Sequence, residues 1–196
     1  MRRDQLSELH YITPITNLPS VLSRGILSHR QAEKVRHRSV AMDEIQKRRT
    51  RKRVPGGRAL HEYVNLYFCA RNPMLFKRKD QHAELCVIRV STAVLDLPDV
   101  VITDQNAASA YALFSPAPDG LKYVDRDLVF AEYWTHGDPI EQYRHRSIKC
   151  AEVLVPDSVP PSYILGAYVS GSTAQAAIEA LGLDMSVTLS PHLFFR

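Results

Sequence analysis

Strand-like runs dominate this sequence, and helical patterns fall between them without a regular βα order. Runs rich in β-branched, aliphatic and aromatic residues occupy positions 9–13, 62–70, 84–91, 100–104, 150–156 and 163–170. Such runs are typical of β-strands. A doubly wound parallel sheet requires a helix after nearly every strand, and that order is missing here. The pattern therefore favours an α+β sandwich.

The segments between these runs contain the predicted helices. Asn17 followed by a short apolar pattern predicts a capped helix that ends at Gly25. Residues 28–58 have weak apolar periodicity, which predicts a long functional loop with a short helix at MDEIQKRR (42–49). Further helices are predicted at 106–114, 125–134 and 172–182, a charged segment at 141–147 and a terminal strand at 186–196.

Size and composition fit a single domain over residues 1–196, because 45% of the 196 residues are hydrophobic. No run of 18 apolar residues is present, and the N-terminus MRRDQLSELH lacks the apolar segment of a secretory signal, so we expect a cytoplasmic protein. Cys69, Cys86 and Cys150 lie far apart in apolar runs, which predicts buried, reduced thiols. The sequence contains no CxxC and no paired His and Cys spacing of the kind that binds a structural metal ion.

Positive charge is concentrated in one part of the chain. Residues 24–58 hold 12 of the 25 Lys and Arg residues, beside only three acidic residues. A Pro-Gly-Gly turn then leads into the aromatic strand at 62–70. The cationic part can hold phosphates and the aromatic part can stack on a ring, which indicates a nucleotide or nucleic-acid ligand. A solvated loop without a ligand is the alternative.

Glu152 is a candidate for chemistry because it interrupts an apolar strand. The two-residue period of a strand places it on the face opposite Val153 and Val155. Burying an unpaired charge is costly, so such a carboxylate needs a partner or a purpose. It is either a catalytic group that stabilises positive charge in a transition state, or an edge-strand residue that faces water or pairs with a nearby Arg.

Other candidate ligand contacts come from the basic helix and from two strands. Arg48 or Arg49 can turn inward to bind a phosphate, because a guanidinium matches paired oxygens; a solvated position is the alternative. Tyr11 and Thr13 share one face of the first strand. Tyr63 and Tyr67 also share a face, with Asn65 between them, and core packing is the alternative to stacking.

Standard nucleotide-binding and hydrolase motifs are absent from the sequence. It contains no GxGxxG, no GxxxxGK[ST], no HExxH and no GxSxG. The residues alone therefore indicate an α+β domain that binds a nucleotide or a nucleic acid, and they do not name a reaction.

Five segments taken together resemble the DarT family of bacterial toxins. They are YITPITNLPSVLSRGIL (11–27), IQKRR (45–49), LHEYVNLYFCARNPML (60–75), TDQNAA (103–108) and AEVLVP (151–156). DarT toxins are NAD-dependent ADP-ribosyltransferases that modify bases in single-stranded DNA. The resemblance implies an ADP-ribosyltransferase-like split β-sandwich with peripheral helices and with NAD in its cleft.

The resemblance also implies roles for particular residues. Glu152 would be the catalytic glutamate, and Arg49, with Arg48 as the second choice, would contact NAD or the reacting centre. The remaining NAD contacts would be His10, Tyr11, Thr13, Asn17, Gly25, Ile26 and Tyr67, with Tyr67 stacked on nicotinamide. Residues 138–151 would form the substrate loop, and the DNA contacts would be Arg51, Arg53, Arg71, Tyr143, Arg144, Arg146 and Lys149. Tyr11 stands where the family has a His, and Gln105 where it has a Gly.

The implied ligands are NAD as co-substrate, without a metal, and single-stranded DNA as acceptor. The implied partner is an antitoxin that carries a macrodomain-type ADP-ribose hydrolase. Thymidine is favoured as the target base, with guanine as the alternative. A non-catalytic nucleic-acid-binding module and an enzyme of the same fold that acts on RNA remain as other hypotheses.

Overall fold

A computed structural model describes residues 1–39 and 43–195 of the chain. Its strands are β1 (Leu9–Pro14), β2 (Ile26–Leu27), β3 (Tyr63–Tyr67), β4 (Leu85–Val90), β5 (Val101–Thr103), β6 (Phe114–Pro116), β7 (Glu152–Pro156), β8 (Ser158–Val159), β9 (Ile164–Val169) and β10 (Val187–Leu189). Each of the six predicted strand runs is confirmed, as is a strand in the C-terminal tail.

One eight-stranded sheet, in the order β10-β9-β4-β1-β3-β7-β5-β6, is divided near its middle. Strand β1 pairs with β4 along its whole length, whereas it meets β3 at the single register pair His10↔Tyr67. Beyond that pair the two half-sheets separate and leave an opening between β1 and β3. This geometry, with helices at the periphery, confirms the α+β class and the split sandwich.

The helices are α1 (Leu18–Arg24), α2 (His29–Ala32), α3 (Asp43–Thr50), α4 (Pro73–Phe76), α5 (Arg126–Phe130), α6 (Pro139–Ile148) and α7 (Ser172–Glu179), with short 3-10 turns between them. The predictions of α1, α3, α5 and α7 are confirmed, although Met42 of the predicted α3 segment lies outside the described residues. The prediction of a helix at 106–114 is wrong, because these residues form turns and then the start of β6.

Helix α6 lies within residues 138–151, the segment for which the family resemblance implies a substrate loop. Asp138 caps it by accepting a hydrogen bond from the backbone N–H of Ile140 at 2.7 Å, and Pro139 follows at the first helical position. Both features are standard helix-start signals. The helix therefore presents its residues from a rigid element.

The core confirms the alternation predicted for β7. Ala151, Val153 and Val155 belong to the main hydrophobic core, whereas Cys150 and Leu154 belong to smaller clusters on the opposite face. Along the chain, Glu152 lies between Cys150 and Leu154, and it is fully buried. The sheet therefore places one carboxylate in an otherwise apolar row.

The three cysteines are free thiols. Cys86 and Cys150 are buried as predicted, and burial raises the pKa of each thiol to about 12. Cys69 differs from the prediction, because it follows the end of β3 and is half-buried. In the part of the chain that the structure describes, no helix has the length and apolar character needed to cross a membrane.

A partly buried ionic network fixes the start of β1. Glu8 accepts hydrogen bonds from Arg89 Nε and from the Tyr168 hydroxyl, each at 2.8 Å, and lies 3.3 Å from His10 Nε2. Burial raises the pKa of Glu8, but the hydrogen bonds from His10, Tyr168 and Arg89 outweigh this effect and bring the pKa to about 2. The network therefore favours the ionised carboxylate.

Glu8 is expected to make stability depend on pH in the acid range. Because its folded pKa lies below the unfolded value of 4.5, its contribution is present above pH 4.5 and is lost as the pH falls towards 2. Urea unfolding of Glu8→Gln should show a loss of about 2 kcal/mol at pH 7 and a flatter pH dependence. Asp4→Asn, at an exposed carboxylate, should behave like wild type. Equal pH dependence in Glu8→Gln and wild type would contradict this assignment.

Candidate active site

A cavity of about 350 Å³ opens where β1 and β3 separate. Its volume is in the range of small-molecule sites. Residues from β1, β3, α3, α6, β7 and the loop after β5 line it. Among the described residues that line it, five are Lys or Arg and one, Glu152, is acidic. The cavity is therefore suited to an anionic ligand, and the Glu152 carboxylate in its wall is available to react with that ligand.

Neighbouring strands fix the backbone of Glu152. In the sheet it lies opposite Tyr67 of β3 and Thr103 of β5. The buried Thr103 hydroxyl accepts a hydrogen bond from the Glu152 N–H at 3.2 Å and donates to the Glu152 carbonyl at 3.4 Å. The position of Glu152 on a central strand, paired on both sides, excludes the edge-strand alternative.

Two donors hold the Glu152 carboxylate. Arg49 Nη1 lies 2.9 Å from Oε2 and 3.2 Å from Oε1, and both side chains are almost completely buried. The backbone N–H of Ala107 donates to Oε1 at 3.2 Å. The predicted alternative of a salt bridge with an Arg is thus present, and the pair lies in the cavity wall rather than on the surface.

The structure separates the two arginines at the end of α3. Arg49 is buried and pairs with Glu152, whereas Arg48 is exposed and lines the cavity further from the core. The low apolar content of α3 gives the sequence no amphipathic face from which to choose between them. The half-sheet that carries Glu152 determines which guanidinium turns inward.

The loop after β5 makes two contacts with distant segments that sequence reasoning missed. The Asn106 side chain accepts a hydrogen bond from the Ala108 N–H at 2.8 Å, which forms a turn and directs the Ala107 N–H at Glu152. Lys52 donates to the Ser109 carbonyl and so joins the end of α3 to this loop. Burial, and secondarily Arg49, lower the pKa of Lys52. The Asn106 turn propensity was the available signal.

Aromatic residues form much of the cavity wall. Tyr63, Asn65 and Tyr67 all line it, as their shared strand face predicts. Burial and the nearby Glu152 raise the pKa of Tyr67 well above its usual value, so its hydroxyl stays protonated. Burial likewise raises the pKa of Tyr11 to about 12. These rings can pack on a planar group and donate hydrogen bonds near the carboxylate.

Asn17 connects the first strand to the basic segment. Its Nδ2 donates to Thr13 Oγ1 at 3.1 Å and to the Arg38 carbonyl at 2.8 Å, and its Oδ1 accepts from the Arg38 N–H at 3.0 Å. The side chain therefore holds residues 37–39 over the cavity instead of capping α1, where no side-chain cap bond is present.

Three predicted NAD contacts do not line the cavity. His10 turns to Glu8 and to the Phe68 carbonyl. Ile26 is buried in the core and pairs with Val159. Gly25 has φ +85°, and a Cβ there would lie 2.2 Å from the Val159 carbonyl oxygen, so glycine is required for this close approach. These residues support strands at the cavity edge and lie outside its wall, and their role as NAD contacts stays a prediction.

Of the predicted DNA contacts, Tyr143 and Arg146 of α6 line the cavity. The others, which lie outside its wall, are Arg51, Arg53, Arg71, Arg144 and Lys149. Lys149 is a correction: it is buried, and its ammonium donates to the Val129 and Ala131 carbonyls at 2.8 and 2.7 Å. Burial lowers its pKa. It is therefore not available to a surface ligand.

No group of three or more His, Cys, Asp or Glu side chains that could hold a metal ion occurs among the described residues. The chemistry that the cavity supports is that of a buried carboxylate paired with a guanidinium. This arrangement can stabilise positive charge on a bound ligand while cations hold an anionic group nearby.

Comparison with known proteins identifies one family. The model of the family described as "ssDNA thymidine ADP-ribosyltransferase, DarT" matches residues 10–195. A "DNA ADP-ribosyl transferase-DNA ADP-ribosyl glycohydrolase fusion protein" of Thermosipho africanus is 36% identical over 199 residues, which cover 96% of this chain and 49% of the relative. The chain thus spans about half the length of that relative.

Solved structures agree with the sequence comparison. The Thermus sp. 2.9 DarT in complex with ADP-ribosylated ssDNA superposes with a TM-score of 0.83 at 28% identity, over 97% of both chains. The same Thermus protein in complex with NAD+ superposes with a TM-score of 0.79 at 25% identity, over 97% of this chain and 98% of the other.

Proposed function

Because this chain belongs to the DarT family of single-stranded-DNA thymidine ADP-ribosyltransferases, we propose that it transfers ADP-ribose from NAD to a base of single-stranded DNA and releases nicotinamide. The observation that carries the proposal is the position of Glu152. Its carboxylate is buried in the wall of the split-sheet cavity and is held by Arg49 and the Ala107 N–H. The Thermus sp. 2.9 protein of the same fold binds NAD+.

The lining residues provide distinct contacts for NAD. Arg48 supplies positive charge for the pyrophosphate. Tyr67 provides a ring for the nicotinamide, and Tyr11 and Thr13 lie on the opposite side of the opening, where they can meet its amide. Asn17 positions this side by its bond to Thr13.

Glu152 acts on the bond between ribose and nicotinamide. When that carbon–nitrogen bond breaks, its electron pair leaves with nicotinamide and the ribose carbon becomes oxocarbenium-like. A preorganised, buried carboxylate stabilises this charge. A ring nitrogen of the acceptor base then forms the new bond and gives up its proton. Glu152, in the wall of the same cavity, is the group that receives this proton as a general base.

Single-stranded DNA suits this cavity better than duplex DNA, because an unpaired base enters without the cost of leaving a helix. Tyr143 and Arg146 border the cavity on α6 and supply a ring and a cation for the incoming strand. We favour thymidine as the target because the family model carries that specificity in its description. Guanine is the alternative acceptor.

We also propose that the protein is the toxin of a toxin–antitoxin pair. The fusion relative joins the transferase to a DNA ADP-ribosyl glycohydrolase in one chain. A reaction that blocks DNA bases needs an activity that removes the block. A macrodomain-type hydrolase is therefore the expected partner, either as a separate protein or in the same chain.

Mass spectrometry of defined oligonucleotides after incubation with NAD tests the proposal. Four single-stranded DNA oligonucleotides, each with one base type at a central position, and one RNA of matched sequence serve as acceptors. We expect the mass of one ADP-ribosyl group on the DNA that carries thymidine. Modification of guanine would select the alternative base. Modification of RNA alone, or NAD binding without transfer, would contradict the proposal.

A further inference from the structure

An aromatic cluster lies beside the cavity and has no part in the proposed NAD contacts. The rings of Phe76, Trp134 and Phe195 meet edge to face, with centroids 5.9 Å apart for Phe76 and Trp134, 5.2 Å for Phe76 and Phe195, and 5.6 Å for Trp134 and Phe195. Phe76 is 43% exposed and Trp134 is partly exposed. The cluster therefore leaves aromatic ring surface accessible beside the cavity.

The cluster borders a second groove of about 240 Å³ that continues the first cavity. Phe76 and Trp134 line the groove together with Thr135 and Gln142. Pro73, Lys77 and Arg146 line both spaces. A ligand that extends from the first cavity along α6 would therefore reach the aromatic cluster next.

Positive charge surrounds this groove. Lys77 and Arg146 lie exposed at the junction, and Lys79 Nζ is 5.3 Å from the centre of the Phe76 ring. The nearby carboxylate of Glu132 lies 3.8 Å from His192. An apolar aromatic surface bordered by cations is the arrangement with which proteins bind single-stranded nucleic acid, since bases stack on the rings while cations meet the phosphates.

Two buried or half-buried cations hold the cluster in place from behind. Lys149 donates to the Val129 and Ala131 carbonyls, just before Trp134, and its Nζ lies 5.9 Å from the centre of the Trp134 ring. Arg71 donates to the His192 carbonyl and packs 4.1 Å from the centre of the Phe195 ring. The surface is thus preorganised, which lowers the entropic cost of binding.

We propose that this groove binds the base of a nucleotide next to the reacting one in the same DNA strand, with stacking on Trp134 and Phe76. The inference rests on the proposed function and adds a subsite to it. Lys149 and Arg71, predicted from the sequence to contact DNA directly, are positioning residues for this subsite. Lys77 and Arg146 contact the phosphate between the two nucleotides.

Oligonucleotide affinity with and without the flanking base tests the subsite. Trp134→Ala should weaken binding of a thymidine-containing single strand by about 5- to 150-fold, the loss expected for one stacked base. Trp134→Phe should retain most of the affinity. Tyr123→Ala removes another exposed ring with a nearby cation, Lys122, outside both cavities, and should bind like wild type.

An abasic scan makes the test specific. In wild type, one abasic nucleotide beside the thymidine should weaken binding as much as Trp134→Ala does, and in Trp134→Ala the same nucleotide should cause no further loss. Additive losses, or wild-type affinity in Trp134→Ala, would overturn the subsite. If Trp134→Ala does not fold, Phe76→Ala and Trp134→Leu give the same comparison. NAD affinity and transfer by wild type are measured in parallel. Absence of transfer by wild type refutes the proposed function. Normal transfer together with additive losses, or with wild-type oligonucleotide affinity in Trp134→Ala, refutes only the subsite.

Discussion

Glu152→Gln is expected to reduce the rate of ADP-ribosyl transfer by about 10²- to 10³-fold, with NAD affinity close to that of wild type. Glutamine keeps the size of the side chain and an oxygen for the Ala107 N–H, which lies 3.2 Å from Oε1. It removes the negative charge that stabilises the oxocarbenium-like ribose. The loss therefore falls on the chemical step rather than on binding.

Single-turnover kinetics at saturating NAD and oligonucleotide, with calorimetry for NAD, measure this loss. Asp157→Asn is the matched control, because Asp157 directly follows β7, its side chain is 51% exposed, and it pairs with Arg58 at the surface. We expect wild-type rates for that variant. Transfer by Glu152→Gln at more than a tenth of the wild-type rate would remove Glu152 from its assigned role.

Arg49→Met is expected to lower the free energy of unfolding by about 3–5 kcal/mol and to abolish transfer. The change leaves the buried Glu152 carboxylate with the Ala107 N–H and without its charged partner. Urea unfolding at pH 7 measures the stability. Lys47→Met, an exposed cation on the same helix, should unfold close to wild type.

A double variant separates stability from chemistry at this pair. Arg49→Met combined with Glu152→Gln removes both charges, so most of the lost stability should return while transfer stays absent. The coupling free energy from this cycle measures how strongly the two side chains interact. If Arg49→Met alone unfolds at the wild-type urea concentration, the buried pair does not exist in solution.

The sequence was sufficient to predict which strand residues share a face, because side chains alternate along a strand with a period of two residues. Alternation in β7 placed Glu152 opposite Val153 and Val155, and the structure confirms that arrangement. Alternation in β3 likewise put Tyr63 and Tyr67 on one face, and both line the cavity. For a strand at the centre of a sheet, the alternation of its own residues predicts which face of the sheet each side chain lies on.

The remaining positions depend on contacts between distant segments. Residues 106–114 are rich in alanine, yet the Asn106 turn and the bond from the Ala107 N–H to Glu152 replace a helix. Lys149 looked like a surface cation because the two carbonyls that bind it lie 18 and 20 residues earlier. The choice between Arg48 and Arg49 has the same origin, since Glu152 is 103 residues from Arg49.

The structure of this chain bound to a non-hydrolysable NAD analogue is the most direct test of where the reaction takes place. We expect the nicotinamide against Tyr67, the pyrophosphate beside Arg48, and the ribose carbon that bears nicotinamide in contact with the Glu152 carboxylate. An analogue bound with that carbon away from Glu152, or bound in the groove beside Trp134, would contradict the assignment of the split-sheet cavity as the active site.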